Sequence, residues 1–94
     1  MAQLSSFHAG VIIAVTVFDD ATETAQQRTY RLSANSMIRA HPELYDVLVD
    51  LASDSRFSDA TNETYFSTDH EHLNDNGYSV VAGLMTTAVR ALPF

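Results

Sequence analysis

The chain has 94 residues, no cysteine, an apolar share of 46% and a formal net charge of −7, with arginine supplying every basic side chain. That is one small domain (1–94), long enough to bury roughly 60–70% of the surface its unfolded chain exposes. Disulfide and thiolate chemistry, lysine Schiff bases and a lysine phosphate clamp are excluded. There is also no basic patch with which to grip nucleic acid or an anionic membrane.

No apolar run approaches the ~20 residues of a membrane span, and Met1-Ala2-Gln3 carries neither a basic n-region nor a cleavage pattern. No signal peptide is therefore expected, and localisation stays open. Met1 to Ala9, with Leu4 and Phe7 on a polar background, reads as the end of a helix that Gly10 stops, and His8 as a surface residue. Val11 to Phe18 is continuously apolar and β-branched, which predicts a strand buried on both faces, as in a parallel sheet.

Asp19 and Asp20 end that strand, and Asp20 with Glu23 suits an N-cap and its capping-box partner. In open α/β sheets ligand sites lie at the carboxyl ends of strands, so this loop can border a site. Thr22 to Ala40 is helical in pattern, with Tyr30, Ala34, Met37, Ile38 and His41 on one apolar face and Pro42 ending it. Asn35 falls among the apolar positions, where its amide can bond backbone or a neighbouring loop. Tyr45 to Ala52 reads as a second strand, and the helix between the two implies a right-handed crossover and parallel pairing. Asp50 at its carboxyl end can cap a turn or line a pocket.

Residues 53–68 are polar and rich in turn formers, with Phe57, Tyr65 and Phe66 as apolar anchors; long aperiodic loops often carry function. Asn62-Glu63-Thr64 fits a glycosylation sequon, a triplet common by chance. Tyr78, Val81, Ala82, Met85, Ala88, Val89 and Leu92 form a sustained helical stripe ended by Pro93, expected to pin the preceding turn against the sheet.

That preceding turn carries the chemistry. Asp69-His-Glu-His-Leu-Asn-Asp-Asn-Gly-Tyr78 puts two imidazoles and three carboxylates into ten residues. Asp69 and His72 are three apart, so a tight turn can point both side chains the same way. An ionised aspartate beside an imidazole fixes one tautomer and leaves the other ring nitrogen as a general base. Asn74, Asn76 and Gly77 are turn formers, with Asp75 or Asn76 as candidate caps for the helix that follows.

Asp69-x-x-His72-Leu-Asn74-x-x-Gly77-Tyr78, with Ala82 beyond it, resembles the last sequence block of the SGNH (GDSL-type) esterases and lipases. The stretch from the apolar strand at Val11 through Asn35 and Arg39 to Val49-Asp50 is similar to the same family. The resemblance implies a partial three-layer α/β/α, flavodoxin-like fold with two parallel strands and flanking helices in β-α-β-α order. It assigns the catalytic Asp69 and His72 of a Ser-His-Asp triad, with no cofactor and no metal. The substrate it implies is a carboxylic ester, with acetylated carbohydrates, small esters and lipids all compatible.

The family's nucleophile lies in a Gly-Asp-Ser motif, and its oxyanion hole uses a glycine and an asparagine from later blocks. Here the glycines are Gly10, Gly77 and Gly83, no Gly-Asp-Ser occurs, and Ser5, Ser6, Ser33 and Ser36 sit in ordinary surface or helix contexts. The sequence thus reads as the C-terminal half of an esterase domain, inactive without its missing N-terminal half. Two other readings remain. Asp69, His70, His72 and Asp75, with Glu71 nearby, can gather a divalent ion. Alternatively the chain is a non-catalytic interaction module or a homodimeric half-domain, because two strands leave a sheet edge open.

Overall fold

The computed structural model describes residues 10–93, so the helix end expected at Met1–Ala9, with His8, Ser5 and Ser6, lies outside the described residues. The elements run β1 (Ile13–Val15), α1 (Ala25–Ala40), β2 (Val47–Val49) and α2 (Asp75–Arg90), with short 3-10 turns at Pro42–Leu44, Leu51–Ser53 and Ser55–Phe57. The strands pair in parallel, Ile13 against Val47, Ala14 against Leu48 and Val15 against Val49. The chain is a small α/β domain in β-α-β-α order.

Alternation along β1 divides its side chains between the two helices. Ile13 and Val15 pack on the core with Val80, Val81, Leu84, Met85 and Ala88 of α2, while Ile12 and Ala14 line a groove with Met37 and Ile38 of α1. The buried core is Val49, Leu51, Phe57, Ala60, Phe66 and Leu73. The anchors expected in the long loop are therefore its centre: Phe57 is completely buried, with its ring centroid 5.6 Å from that of Phe18, 6.3 Å from Phe66 and 6.4 Å from Tyr65.

Both strands are shorter than the sequence pattern predicts, and β1 is not covered on both faces. Val11, Ile12 and Val17 stay exposed. A strand persists only where a neighbour pairs with it, and β2 leaves the ladder at Asp50, whose side chain turns to other partners. Thr16, almost fully buried, donates its hydroxyl to Asp50 at 2.6 Å and accepts the Ala52 N–H at 2.9 Å.

The helix faces also differ from expectation. In α1 most of the predicted apolar face is turned outward: Tyr30 and Met37 are each 63% exposed and Ala34 and His41 are exposed as well, while Ile38 is half-buried at the groove with Ile12 and Ala14. The side that meets the rest of the domain is instead a polar stripe at i, i+4, i+8. Arg31 pairs with Glu23 at 2.7 Å and with Asp19 at 3.2 Å. Asn35, the one buried residue of α1, accepts the Val17 N–H at 2.8 Å and donates to the Val17 carbonyl at 2.9 Å. Arg39 grips both oxygens of Asp50 at 2.8 Å, and this guanidinium, with the Thr16 hydroxyl, holds the Asp50 carboxyl down at about 2. A buried amide satisfied on both sides outranks an apolar periodicity, because leaving it unpaired costs about 1–3 kcal/mol.

In α2, Val81, Met85 and Ala88 pack as the stripe predicts, but Tyr78, Ala82 and Val89 are exposed and Val80 and Leu84 take their place. Gly77, buried against Tyr65 and Leu73, sets this rotation. The capping box of α1 is Thr24 with Gln27, not Asp20 with Glu23. Glu23 is committed to Arg31, and Asp20 closes a local turn by accepting the Thr22 N–H at 2.8 Å and hydroxyl at 2.6 Å. The cap of α2 is Asn74, rather than Asp75 or Asn76, with its side-chain oxygen accepting the Gly77 N–H at 3.0 Å.

Candidate active site

The segment that carries Asp69 and His72 is a tight turn on a buried neck. Phe66 and Leu73 pair across the neck as an antiparallel bridge, and both are buried. Inside it the Ser67 N–H donates to the His72 carbonyl at 2.8 Å and the His70 N–H to the Ser67 carbonyl at 3.0 Å. Asn74 then locks the exit, since its amide nitrogen donates to the carbonyls of Glu63 and Phe66 at 2.8 and 3.1 Å. The apolar neck supplies the burial, and the polar tip is left in water.

At that tip Asp69 is a hub. One carboxylate oxygen accepts the backbone N–H groups of Glu71 and His72, both at 3.0 Å. The other lies 2.7 Å from Nδ1 of His72. The His72 hydrogen bond and the two backbone donors hold the Asp69 carboxyl at about 2. The same hydrogen bond raises the imidazole pKa of His72 above its ordinary value, with the charges of Asp69, Glu71 and Asp20 acting in the same direction. Among the described residues nothing bonds to Nε2 of His72, and its side chain is 66% exposed. A ring held at Nδ1 with Nε2 open to solvent can accept a proton from a bound hydroxyl.

The loop after β1 borders this turn. The Ala21 N–H donates to the His70 carbonyl at 3.0 Å, which brings Asp20 within electrostatic reach of His72 from a second element. The position of this loop at the carboxyl end of β1 is what marks it in the sequence as the border of a site, although about fifty residues separate it from His70. His70 has a positive φ of 56°, a left-handed conformation that histidine tolerates better than most residues. Its ring turns away from His72 to Glu63, 3.1 Å from Nε2.

The four residues considered for a metal are therefore not brought together. Asp69, Glu71 and His72 converge, their ligand atoms within 4.8 Å of one another and all three residues exposed, while His70 points elsewhere. Asp50 lines a depression of about 470 Å³ with Ser53, Asp54, Leu84 and Thr87, a lining that includes neither Asp69 nor His72. Its carboxylate serves Thr16 and Arg39. Comparison of the chain with protein-family models, curated proteins and solved structures returns no match.

The two shifts define a pH window. The depressed Asp69 contributes stability above the ordinary aspartate range, lost as pH falls through about 2. The raised His72 contributes stability that is complete below its unfolded value near 6.5 and lost as pH rises through its higher folded value. The pair is fully charged between those limits. In an NMR titration His72 should have a midpoint above 6.5, falling in Asp69→Asn, which keeps an oxygen for the two backbone donors and removes the charge. An unchanged midpoint would mean that Asp69 does not control the ring.

Proposed function

We propose that Asp69 and His72 are the acid–base half of a serine ester hydrolase of the SGNH type, built on part of a three-layer, flavodoxin-like α/β/α frame. The observation that carries the reading is the 2.7 Å contact between Asp69 and Nδ1 of His72, with the opposite ring nitrogen facing solvent. The sequence pattern Asp69-x-x-His72-Leu-Asn74-x-x-Gly77 supports it, since Leu73, Asn74 and Gly77 are the residues that hold this turn in place.

In that reading Nε2 of His72 takes the proton of a serine hydroxyl as its oxygen attacks the ester carbonyl. The imidazolium, stabilised by Asp69, then returns the proton to the departing alcohol as the acyl–serine bond is retained. Water repeats the cycle on the acyl group, with His72 again as base. No serine hydroxyl among the described residues bonds to the His72 ring, so in this reading the nucleophile is a serine outside them.

An activated ester tests the histidine without that serine, because a free imidazole attacks p-nitrophenyl acetate directly. The chain is expected to hydrolyse it faster than the same concentration of imidazole. The rate should rise with pH as His72 loses its proton and then level off. His72→Ala should remove this excess and Asp69→Asn should reduce it. A His72→Ala variant as fast as the parent would sink the assignment. Intact-mass analysis with a fluorophosphonate locates the nucleophile: an adduct on the parent that is absent from His72→Ala would put the serine on this chain.

A further inference from the structure

We infer that the outer edge of β1 pairs with the same edge of a second copy of this chain, giving a two-fold dimer with strand order β2-β1-β1-β2. This inference does not depend on the reading of His72.

Its first support is the direction of the backbone groups. The Ile12 carbonyl accepts the Asp46 and Val47 N–H groups, and the Thr16 N–H donates to the Val49 carbonyl. Residues 12, 14 and 16 therefore face β2, and the N–H and C=O of Ile13 and Val15 point to the outer edge. No third strand meets that edge among the described residues. At Val17, the next outward-facing residue, the Asn35 side chain supplies both partners and closes the edge. Among the described residues, what remains open is one short, defined segment.

The second support is charge. A chain of net charge −7 repels a copy of itself over most of its surface, and Arg28, Arg31, Arg39 and Arg56 are already paired with its own carboxylates. Gly10 to Phe18 contains no charged residue and no proline, so the edge lacks the usual devices that keep strands apart. The flanking carboxylates are turned inward, Asp19 onto Arg31 and the Ala60 N–H, and Asp46 onto the Ile12 N–H.

The third support is apolar area. Ile12 and Ala14 share a groove of about 310 Å³ with Met37, Ile38 and Leu44. Val11, Ile12, Val17, Met37 and Leu44 are 44–67% exposed. Together they offer roughly 500 Å² per copy before the backbone edge is counted, against ~800 Å² per partner in a standard interface.

An antiparallel pairing centred on Ala14 fits these constraints. Ile13 then exchanges both hydrogen bonds with Val15 of the second copy, and the ladder stops there because Asn35 already holds the outward groups of Val17. The two alanines form the close, non-hydrogen-bonded pair at the axis, where a small side chain suits the spacing. The axis stands perpendicular to the sheet, so the two α1 grooves merge into one trough.

Sedimentation equilibrium from micromolar to millimolar protein tests this on the full chain. The parent should show a concentration-dependent dimer. Ala14→Glu places two carboxylates at the axis, and Met37→Glu charges the groove from an exposed helix position whose change leaves the fold intact. Each should weaken dimerisation by about tenfold or more. Val89→Glu on α2 should leave it unchanged. Amide exchange at Ile13 and Val15 should slow as the dimer fills. A parent that stays monomeric, a dimer indifferent to Met37→Glu, or one equally weakened by Val89→Glu would each overturn the inference.

Discussion

Phe57→Ala is expected to destabilise the domain by about 3–5 kcal/mol, the cost of removing a buried ring and leaving a cavity. Phe57 has no exposed surface and sits between Phe18, Tyr65 and Phe66, so no side chain can swing in to refill the space without giving up its own contacts. Whole-domain stability is on the order of 0.05–0.15 kcal/mol per residue, so this one change takes about a fifth of the total or more for a chain of this size. The melting temperature should fall by on the order of 20 °C or more. Chemical denaturation followed by circular dichroism reads the loss directly. A loss below about 1 kcal/mol would mean that the aromatic cluster is not tightly packed.

Gly77→Ala should be nearly as damaging, and it should damage the candidate site as well. A Cβ at position 77 would run into the carbonyl oxygen of Tyr65 and would stand 3.0 Å from the Cβ of Leu73. Neither neighbour can yield easily. The Tyr65 carbonyl accepts the Asn74 N–H at 3.0 Å, and Leu73 is the buried half of the neck below the turn. The expected cost is about 3 kcal/mol, at the upper end of the usual overpacking range because backbone must move. Displacement of the neck should also bring the His72 titration midpoint down toward its ordinary value. Gly83→Ala is the internal comparison: nothing lies within 4 Å of a Cβ there, and in the middle of α2 an alanine should add about 0.5–1 kcal/mol. Equal losses from both substitutions would show that helix disruption, not close approach, governs position 77.

Much of this arrangement is legible in the residues. The Asp69–His72 spacing gives a turn that joins both side chains, and the apolar anchors Phe57 and Phe66 are buried where the polar loop needs them. Pro42 follows the end of α1, and the parallel order of β1 and β2 follows from a helix between two strands. The failures have two physical sources.

Periodicity reports which residues share a face but not which face turns inward. In α1 the apolar stripe of Tyr30 and Met37 lost to the polar stripe of Arg31, Asn35 and Arg39, whose partners Glu23, Asp19, Val17 and Asp50 lie on other segments. Chain-distant contacts are the other source. The carboxyl-end position of the Asp19–Asp20 loop marks it as a border of the site, but the particular bond from Ala21 to His70, which brings Asp20 within electrostatic reach of His72, has no local signature. Neither has the contact between Gly77 and Tyr65, although a glycine inside a helical pattern marks a place where backbone comes close.

The polar anchoring of α1 has a thermodynamic consequence. Asn35 is its one buried residue, and none of its side chains belongs to the apolar core. If α1 detaches as a unit it breaks ion pairs and hydrogen bonds and leaves the apolar core in place, uncovering chiefly Ile38 and the Ala14 face beneath it. Such an opening carries a small heat-capacity change and a small denaturant slope, since both scale with newly exposed surface. It responds instead to ionic strength, which screens exposed pairs such as Arg39 with Asp50. Salt, more than urea, is the variable that governs how often this helix leaves the sheet.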